Sequence, residues 1–214
     1  MDRLLLIRHA TTALTRRAAF PTSFGDRLVE ACEPLDAAGL RQSVRLRACL
    51  PEADECLVSH ALRCAETARA LGFERMISRS ELAECDFGAW AGRTLEQVHA
   101  QDPVGLRSWL EDPDATPHGG ESLTRVRHRA RRFLEERKRA AGTCVGIAPG
   151  GFTKAALLEV LQLPSFALWQ LDLAPCSVTE LHPGPASWRI VRLNWTPGLD
   201  GPGSTRPRSA ATPS

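Results

Sequence analysis

The residues best suited to chemistry in this 214-residue chain are one imidazole and two guanidiniums, each placed where an apolar run ends. In MDRLLLIRHATT the run Leu4–Ile7 stops abruptly on Arg8 and His9. A buried strand that finishes on a cation and an imidazole suggests a site at its carboxyl end; the plain alternative is a solvated strand terminus. Arg63, in SHALRCAETA, follows a second short apolar run and Ser59. An imidazole flanked by two guanidiniums suits a phosphoryl group, because each guanidinium offers a planar fork of donors to the phosphoryl oxygens. Both guanidiniums stay charged, and their field favours the neutral, nucleophilic form of His9. Such a histidine can take the phosphoryl group and split hydrolysis into transfer and release. The leaving alkoxide then needs a proton, and AECDFG carries two loop acids, Glu84 and Asp86. Taken singly, Glu84 reads as an exposed loop carboxylate.

Positioning these groups falls to a chain in which short apolar runs alternate with helical patterns. Leu4–Ile7, ECLVS (55–59), RMIS (75–78) and CVGIA (144–148) read as strands. PLDAAGLRQSVRLRACL predicts a helix starting near Asp36, with Leu35, Leu40, Val44 and either Leu46 or Cys49 as its apolar side. ALRCAETARALG predicts a helix stopped by Gly72. Residues 82–122 break the alternation with Gly, Pro and Asp, although short helices are predicted over Thr94–Ala100 and Val104–Glu111. An excursion of this kind is where functional loops tend to lie. SLTRVRHRARRFLEERKRA predicts a long amphipathic helix that buries Leu123, Val126, Ala130, Phe133 and Leu134. Glu135 and Glu136 interrupt its arginine face, which reads as solvated. After CVGIA, Pro149-Gly150-Gly151 turns directly into the helix FTKAALLEVLQL, and CSVTELH and WRIVRLN form a hairpin joined through PGPAS.

Alternating strands and helices imply an α/β fold: a three-layer α/β/α sandwich with a mostly parallel sheet and an antiparallel edge. Ligands of such sheets bind beyond the strands' carboxyl ends. Arg8-His9, the segment Ser59–Arg63 and the Pro149-Gly150-Gly151 turn are therefore expected to face one pocket. Residues 1–195 are read as a single domain, and the Pro-, Gly-, Ser- and Thr-rich stretch 196–214 as a disordered tail.

Composition narrows the class of protein. A hydrophobic fraction of 43% supports a substantial core, and a net charge of +2 is too slight to argue for nucleic acid or a membrane surface. Arg8 and His9 cut short the one apolar stretch at the N-terminus, so no signal peptide is expected there, and no run is long enough to span a bilayer. Seven scattered cysteines form no C-x-x-C pair, which argues against zinc and a disulfide framework and for reduced thiols in a cytoplasmic protein. Lysine occurs only at positions 138 and 154, a bias read as the mark of a GC-rich bacterial genome.

The motifs together resemble the histidine phosphatase superfamily, which includes the phosphoglycerate mutases. Its opening RHGxT is matched by RHATT through Arg8, His9 and Thr12; S-P-L-x-R-A-x-x-T-A by SHALRCAETA through Ser59, Arg63, Thr67 and Ala68; L-x-E-x-D-F-G-x-W-x-G by LAECDFGAWAG without a gap. HGGESL resembles the family's Gly-Glu-Ser stretch before the long helix. The resemblance implies a phosphoglycerate mutase-like fold, His9 as phosphorylated nucleophile, Arg8 and Arg63 as phosphate clamp with Thr12 beside them, and Glu84 as proton donor. Compact size and the phrase DFGAWAGRTLEQV look most like the small-molecule phosphatases, α-ribazole phosphatases in particular.

One motif departs. Where the family has V-x-H-G-G this chain reads Ile147-Ala148-Pro149-Gly150-Gly151, so Pro149 stands in the place of the second histidine and has neither a donor side chain nor a backbone N–H. Ala10 replaces the Gly of the first motif and His60 the Pro of the second. The backbone N–H groups of Gly150 and Gly151, at a helix start, are expected to supply part of the missing field. His60 or His118 are alternatives, each reading by default as a surface histidine. Lys154 stands where the family often has Arg, Arg16 and Arg17 are candidates for the pocket mouth, and Trp90 and Trp109 read as packing that an aromatic base in a substrate could also use.

Three readings follow: a phosphomonoesterase for a small phosphorylated metabolite, weakened by Pro149; a phosphate-binding module with little turnover; or related chemistry on a larger substrate. Retention of His9, Arg8, Arg63 and Glu84 together favours the first. A mutase, which must shield its phosphohistidine from water, is not expected without the second histidine. No cofactor or metal is expected, and the expected partner is a small phosphorylated molecule, with a homodimer as an option.

Overall fold

The computed structural model describes residues 2–21, 33–185 and 187–197. Chain order is β1 (Arg3–Arg8), α1 (Ala13–Arg16), α2 (Ala37–Arg47), β2 (Glu55–Val58), α3 (Leu62–Ala70), β3 (Ile77–Ser78), α4 (Leu95–Gln101), α5 (Pro103–Glu111), α6 (Leu123–Lys138), β4 (Thr143–Ala148), α7 (Gly150–Leu161), β5 (Val178–Pro183) and β6 (Trp188–Trp195). Short 3₁₀ turns at Ser80–Leu82, Gly88–Trp90 and Ser165–Gln170 link them. The strands form one sheet in the order β3-β2-β4-β1-β5-β6. β1, β2, β3 and β4 are parallel, and the hairpin β5–β6 adds the antiparallel edge through β5 against β1.

The run Leu4–Ile7 explains the layering. Successive side chains of a strand point to opposite faces, so Leu4 and Leu6 join one core cluster while Leu5 and Ile7 join another. The first cluster packs Val126, Ala130, Phe133 and Leu134 of α6 and Phe152, Ala155 and Ala156 of α7. The second packs Leu46 of α2 and Cys64 and Ala68 of α3. Both faces of the sheet are thus covered, as the α/β/α reading predicts, and the long helix buries the five apolar residues the periodicity selects. β3 is shorter than RMIS predicts, with two paired residues at the sheet edge and Ile77 exposed.

Helix α2 corrects one expectation. It starts at the Asp36 cap as predicted, but Leu40 and Val44 are 47% and 61% exposed, and the buried side is Gly39, Ser43 and Leu46. Gly39 decides the rotation: a Cβ there would lie 2.3 Å from the Thr11 carbonyl oxygen, so only glycine lets the helix pack this close to the chain leaving β1. Ser43 returns its hydroxyl to the Gly39 carbonyl at 3.0 Å, which satisfies the one polar group on that face.

Cys56, Cys64, Cys85, Cys144 and Cys176 are buried free thiols and Cys49 is an exposed one. No helix among the described residues is long and apolar enough to cross a membrane. Beyond Pro197 the tail lies outside the described residues.

Candidate active site

Sheet order brings the three polar strand ends together. β4 lies between β2 and β1, so their carboxyl ends are adjacent: the His9 N–H donates to the Ala148 carbonyl at 3.0 Å, and the Ser59 N–H to that of Ile147 at 2.9 Å. From β1 comes Arg8, with His9 just beyond the strand; from the first turn of α3, Arg63; from the start of α7, Gly150 and Gly151. They line a cavity of about 290 Å³ together with Glu33, Glu84 and Lys154.

His9 is 4% exposed. Its Nδ1 lies 2.8 Å from the Ala10 carbonyl oxygen, which can only accept, so Nδ1 carries the proton. Nε2 therefore holds the lone pair, and the Arg63 Nε–H donates to it at 3.2 Å. Burial, then the Arg63 charge, holds the imidazole well below its ordinary value, with Arg8 acting in the same direction against the Ala10 hydrogen bond. The ring is thus a neutral base with its lone pair turned towards the guanidinium.

Arg63 is almost wholly buried and shares its fork, Nη1 pairing with Glu33 at 3.3 Å. Glu33 also accepts from the Thr12 hydroxyl. Arg8 donates through Nη1 to the Leu173 carbonyl, whereas its Nε is buried without a hydrogen-bond partner among the described residues. An unpaired buried donor is costly unless something accepts from it, and an anion in this cavity would do so. Burial pulls the Arg8 guanidinium down, while the Glu84 and Asp172 carboxylates support its charge.

Glu84 is held by backbone donors, not left in solvent. Its Oε1 accepts from the Cys85 N–H at 2.9 Å and its Oε2 from the Gly151 N–H at 3.2 Å. Gly151 has no spare space, for a Cβ on it would sit 2.0 Å from Glu84 Oε1. Gly150 leaves room for the neighbouring clamp, since a Cβ there would come within 3.1 Å of Arg8 Nε.

A model of the histidine phosphatase superfamily, branch 1, matches residues 4–196 of the chain. The chain belongs to this superfamily. It is 32% identical over 201 residues to a bifunctional protein of Mycobacterium tuberculosis, a match covering 88% of this chain and 53% of that protein. The chain therefore spans about half the length of that relative. It is 29% identical to the glucosyl-3-phosphoglycerate phosphatase of M. tuberculosis over 92% of this chain and 88% of that one. The crystal structure of a putative α-ribazole-5′-phosphate phosphatase from Escherichia coli superposes with a TM-score of 0.78, covering 91% of this chain and 97% of that chain at 22% identity. That likeness is one of fold, and the relatives do not single out the α-ribazole branch.

Within this member of the superfamily the predicted residues divide. Arg8, His9, Arg63, Glu84, Gly150 and Gly151 line the cavity; Thr12 does not. Thr12 is fully buried behind it, capping α1 and supporting Glu33. Gly151, which lines the cavity, also donates its N–H to Glu84 Oε2. Pro149 is the N-cap of α7 and its carbonyl takes the Thr153 N–H and hydroxyl, at 3.2 and 3.0 Å.

Neither alternative histidine lines this cavity. His118 is buried against Trp90 and Phe87 and its Nδ1 accepts from the Gly120 N–H at 3.0 Å. His60 lines a separate cleft that reaches Glu84 from another side, with Asp86 and Arg129. Arg16 is paired with Asp36 on the surface at 2.6 Å, and neither it nor Arg17 lines the cavity. Lys154 does line it; burial lowers its ammonium, Arg8 adds to that, and Asp172 opposes it.

Sequence reasoning missed Glu33, Phe20 and Trp169. Glu33 stands 30 residues from its partner Arg63, and no local pattern in CEPL marks it.

Proposed function

We propose that this chain is a phosphomonoesterase that works through a phosphohistidine on His9. The observation that carries the reading is the fixed tautomer: Nδ1 is committed to the Ala10 carbonyl, so Nε2 alone offers a lone pair, in a cavity that both guanidiniums line. An incoming phosphate ester draws Arg63 Nε and Arg8 Nε onto its own oxygens, which releases Nε2 from the Arg63 N–H. Nε2 then attacks phosphorus, and the bond to the leaving oxygen breaks. Glu84, in its acid form, gives that oxygen a proton. In the second half, Glu84 takes a proton from water as the water attacks phosphorus, the N–P bond breaks, and inorganic phosphate leaves with His9 neutral again. The two cations stabilise charge on the transferring group throughout. Glu33 holds Arg63 in place from behind, with Thr12 holding Glu33. Phosphatases among the relatives, the glucosyl-3-phosphoglycerate enzyme included, support this reading.

A phosphate-binding module is the second reading, and one observation favours it: Pro149 puts no donor where the family has its second histidine. The test is turnover of p-nitrophenyl phosphate, with acid-labile phosphorylation of the protein trapped by rapid quench. Wild-type turnover with a trapped phosphohistidine, both lost in His9→Ala, is the expected result. Phosphate binding without turnover in either protein would overturn the enzyme reading in favour of the module.

A further inference from the structure

The cavity lining falls into two groups: the charged and imidazole side chains Arg8, His9, Glu33, Arg63, Glu84 and Lys154, and an apolar wall of Phe20, Phe87, Trp109 and Trp169 with Leu123 and Leu168. These rings form one continuous group: Phe20 lies 4.9 Å from Phe87 and 5.6 Å from Trp109, and Trp109 lies 4.5 Å from Trp169. Trp90 and His118 pack against Trp109 at 5.6 and 6.4 Å, so the buried part of the wall is held from several sides. Trp169, from the 3₁₀ turn after α7, is the exposed member at 39%. Thr15, a hydroxyl that also lines the cavity, shares one hydrogen bond with Thr12 at 2.8 Å.

Such a wall discriminates between alcohols. A sugar, a glycerate or an amino acid placed against it would bring several hydroxyl, carboxylate or ammonium groups, to which the wall's rings offer only indole N–H donors, that of Trp109 being buried without a partner among the described residues; most of those groups would lose their water uncompensated. A flat ring loses little water and gains a stacked or edge contact on each indole. We infer that the preferred substrates of this site are phosphomonoesters of alcohols with a planar aromatic or apolar body, which lies against Trp109 and Trp169 while Arg8 and Arg63 grip the phosphate. The inference rests on the phosphatase reading for its chemistry, and on the wall alone for its selectivity.

The test compares two esters that leave as similar primary alkoxides, 2-(1-naphthyl)ethyl phosphate and glycerol 1-phosphate, so that leaving-group reactivity does not decide the outcome. The naphthyl ester is expected to have a KM roughly tenfold lower at similar kcat, within what stacking on one aromatic side chain supplies. Trp169→Ala should raise KM for the naphthyl ester by about the same factor and leave glycerol phosphate unchanged, and Trp169→Phe should restore most of the loss. Calorimetric binding of both esters to His9→Ala separates the two layers of the argument. If wild type turns over neither ester, the phosphatase reading fails, while tighter binding of the naphthyl ester upholds the wall's selectivity. Equal affinity for the two esters, or a Trp169→Ala effect of equal size on both, overturns the inference even if every ester is hydrolysed.

Discussion

Gly151→Ala should separate stability from catalysis in a way few substitutions in this fold can. The new methyl would fall 2.0 Å from Glu84 Oε1, a distance that side-chain contacts do not tolerate, so the carboxylate must retreat to at least 3.0 Å. That is a shift of about 1 Å, and a displacement of that size in a reacting group costs on the order of 10²-fold in rate. The clash falls on the far end of a flexible side chain and not on backbone, so the fold absorbs it cheaply. Gly151 is the second residue of α7, and its φ is not positive, so alanine fits the backbone there and gains roughly 0.4–1 kcal/mol by restricting the unfolded chain. The melting temperature should therefore stay level or rise while activity falls. The assay is kcat for two esters of unlike leaving groups. An alkyl phosphate needs the proton from Glu84 and should lose about 10²-fold, within the span of general-acid effects. p-Nitrophenyl phosphate expels a stable phenolate and should lose little. Equal losses on both esters would refute the assignment of Glu84 as proton donor, and no loss on either would refute the positioning role of Gly151.

Other expectations follow from the same geometry. Neutral His9 is the active form and its value lies well below 6.5, so the acid limb of kcat/KM that His9 sets should fall below pH 6.5; Arg63→Gln, which removes a lowering charge, should move the His9 ring titration upward by NMR. The same shift affects stability: below about pH 6.5 the unfolded chain takes up a proton that folded His9 refuses, so its contribution is complete above that pH and is lost as pH falls, which urea midpoints at pH 7.5 and 5.5 would measure. Pro149→His should raise turnover of an alkyl ester about tenfold, inside the range a single charge-stabilising donor supplies; an unchanged rate would assign that work to Lys154 or Arg8. Val44→Lys, at an exposed site, should change stability by less than about 0.5 kcal/mol, whereas Leu46→Ala, at a buried one, should cost about 2–5 kcal/mol by chemical denaturation.

Much of the layering is legible in the sequence because it depends on short-range periodicity. Leu4 to Ile7 can alternate between two buried faces only if both are covered, and Leu123, Val126, Ala130, Phe133 and Leu134 mark one side of α6 whatever lies opposite. α2 fails the same test, because its rotation is set by how near Gly39 can come to the Thr11 backbone, and a hydrophobic count gives small residues no weight.

By itself the sequence determined which groups are present and in what order: the Arg8-His9 pair at a strand end, Arg63 after a second strand, the acid in AECDFG, and the proline where a donor would stand. Only the tertiary structure decided what each group faces. It placed Thr12 behind the cavity on Glu33, gave the Gly151 N–H to Glu84, set an aromatic wall in the same cavity as the charges and turned the His9 lone pair towards Arg63. The His9–Arg63 and Glu84–Gly151 partners stand more than fifty residues apart in the chain, and hydrogen-bond direction is a property of the folded neighbourhood rather than of any local pattern.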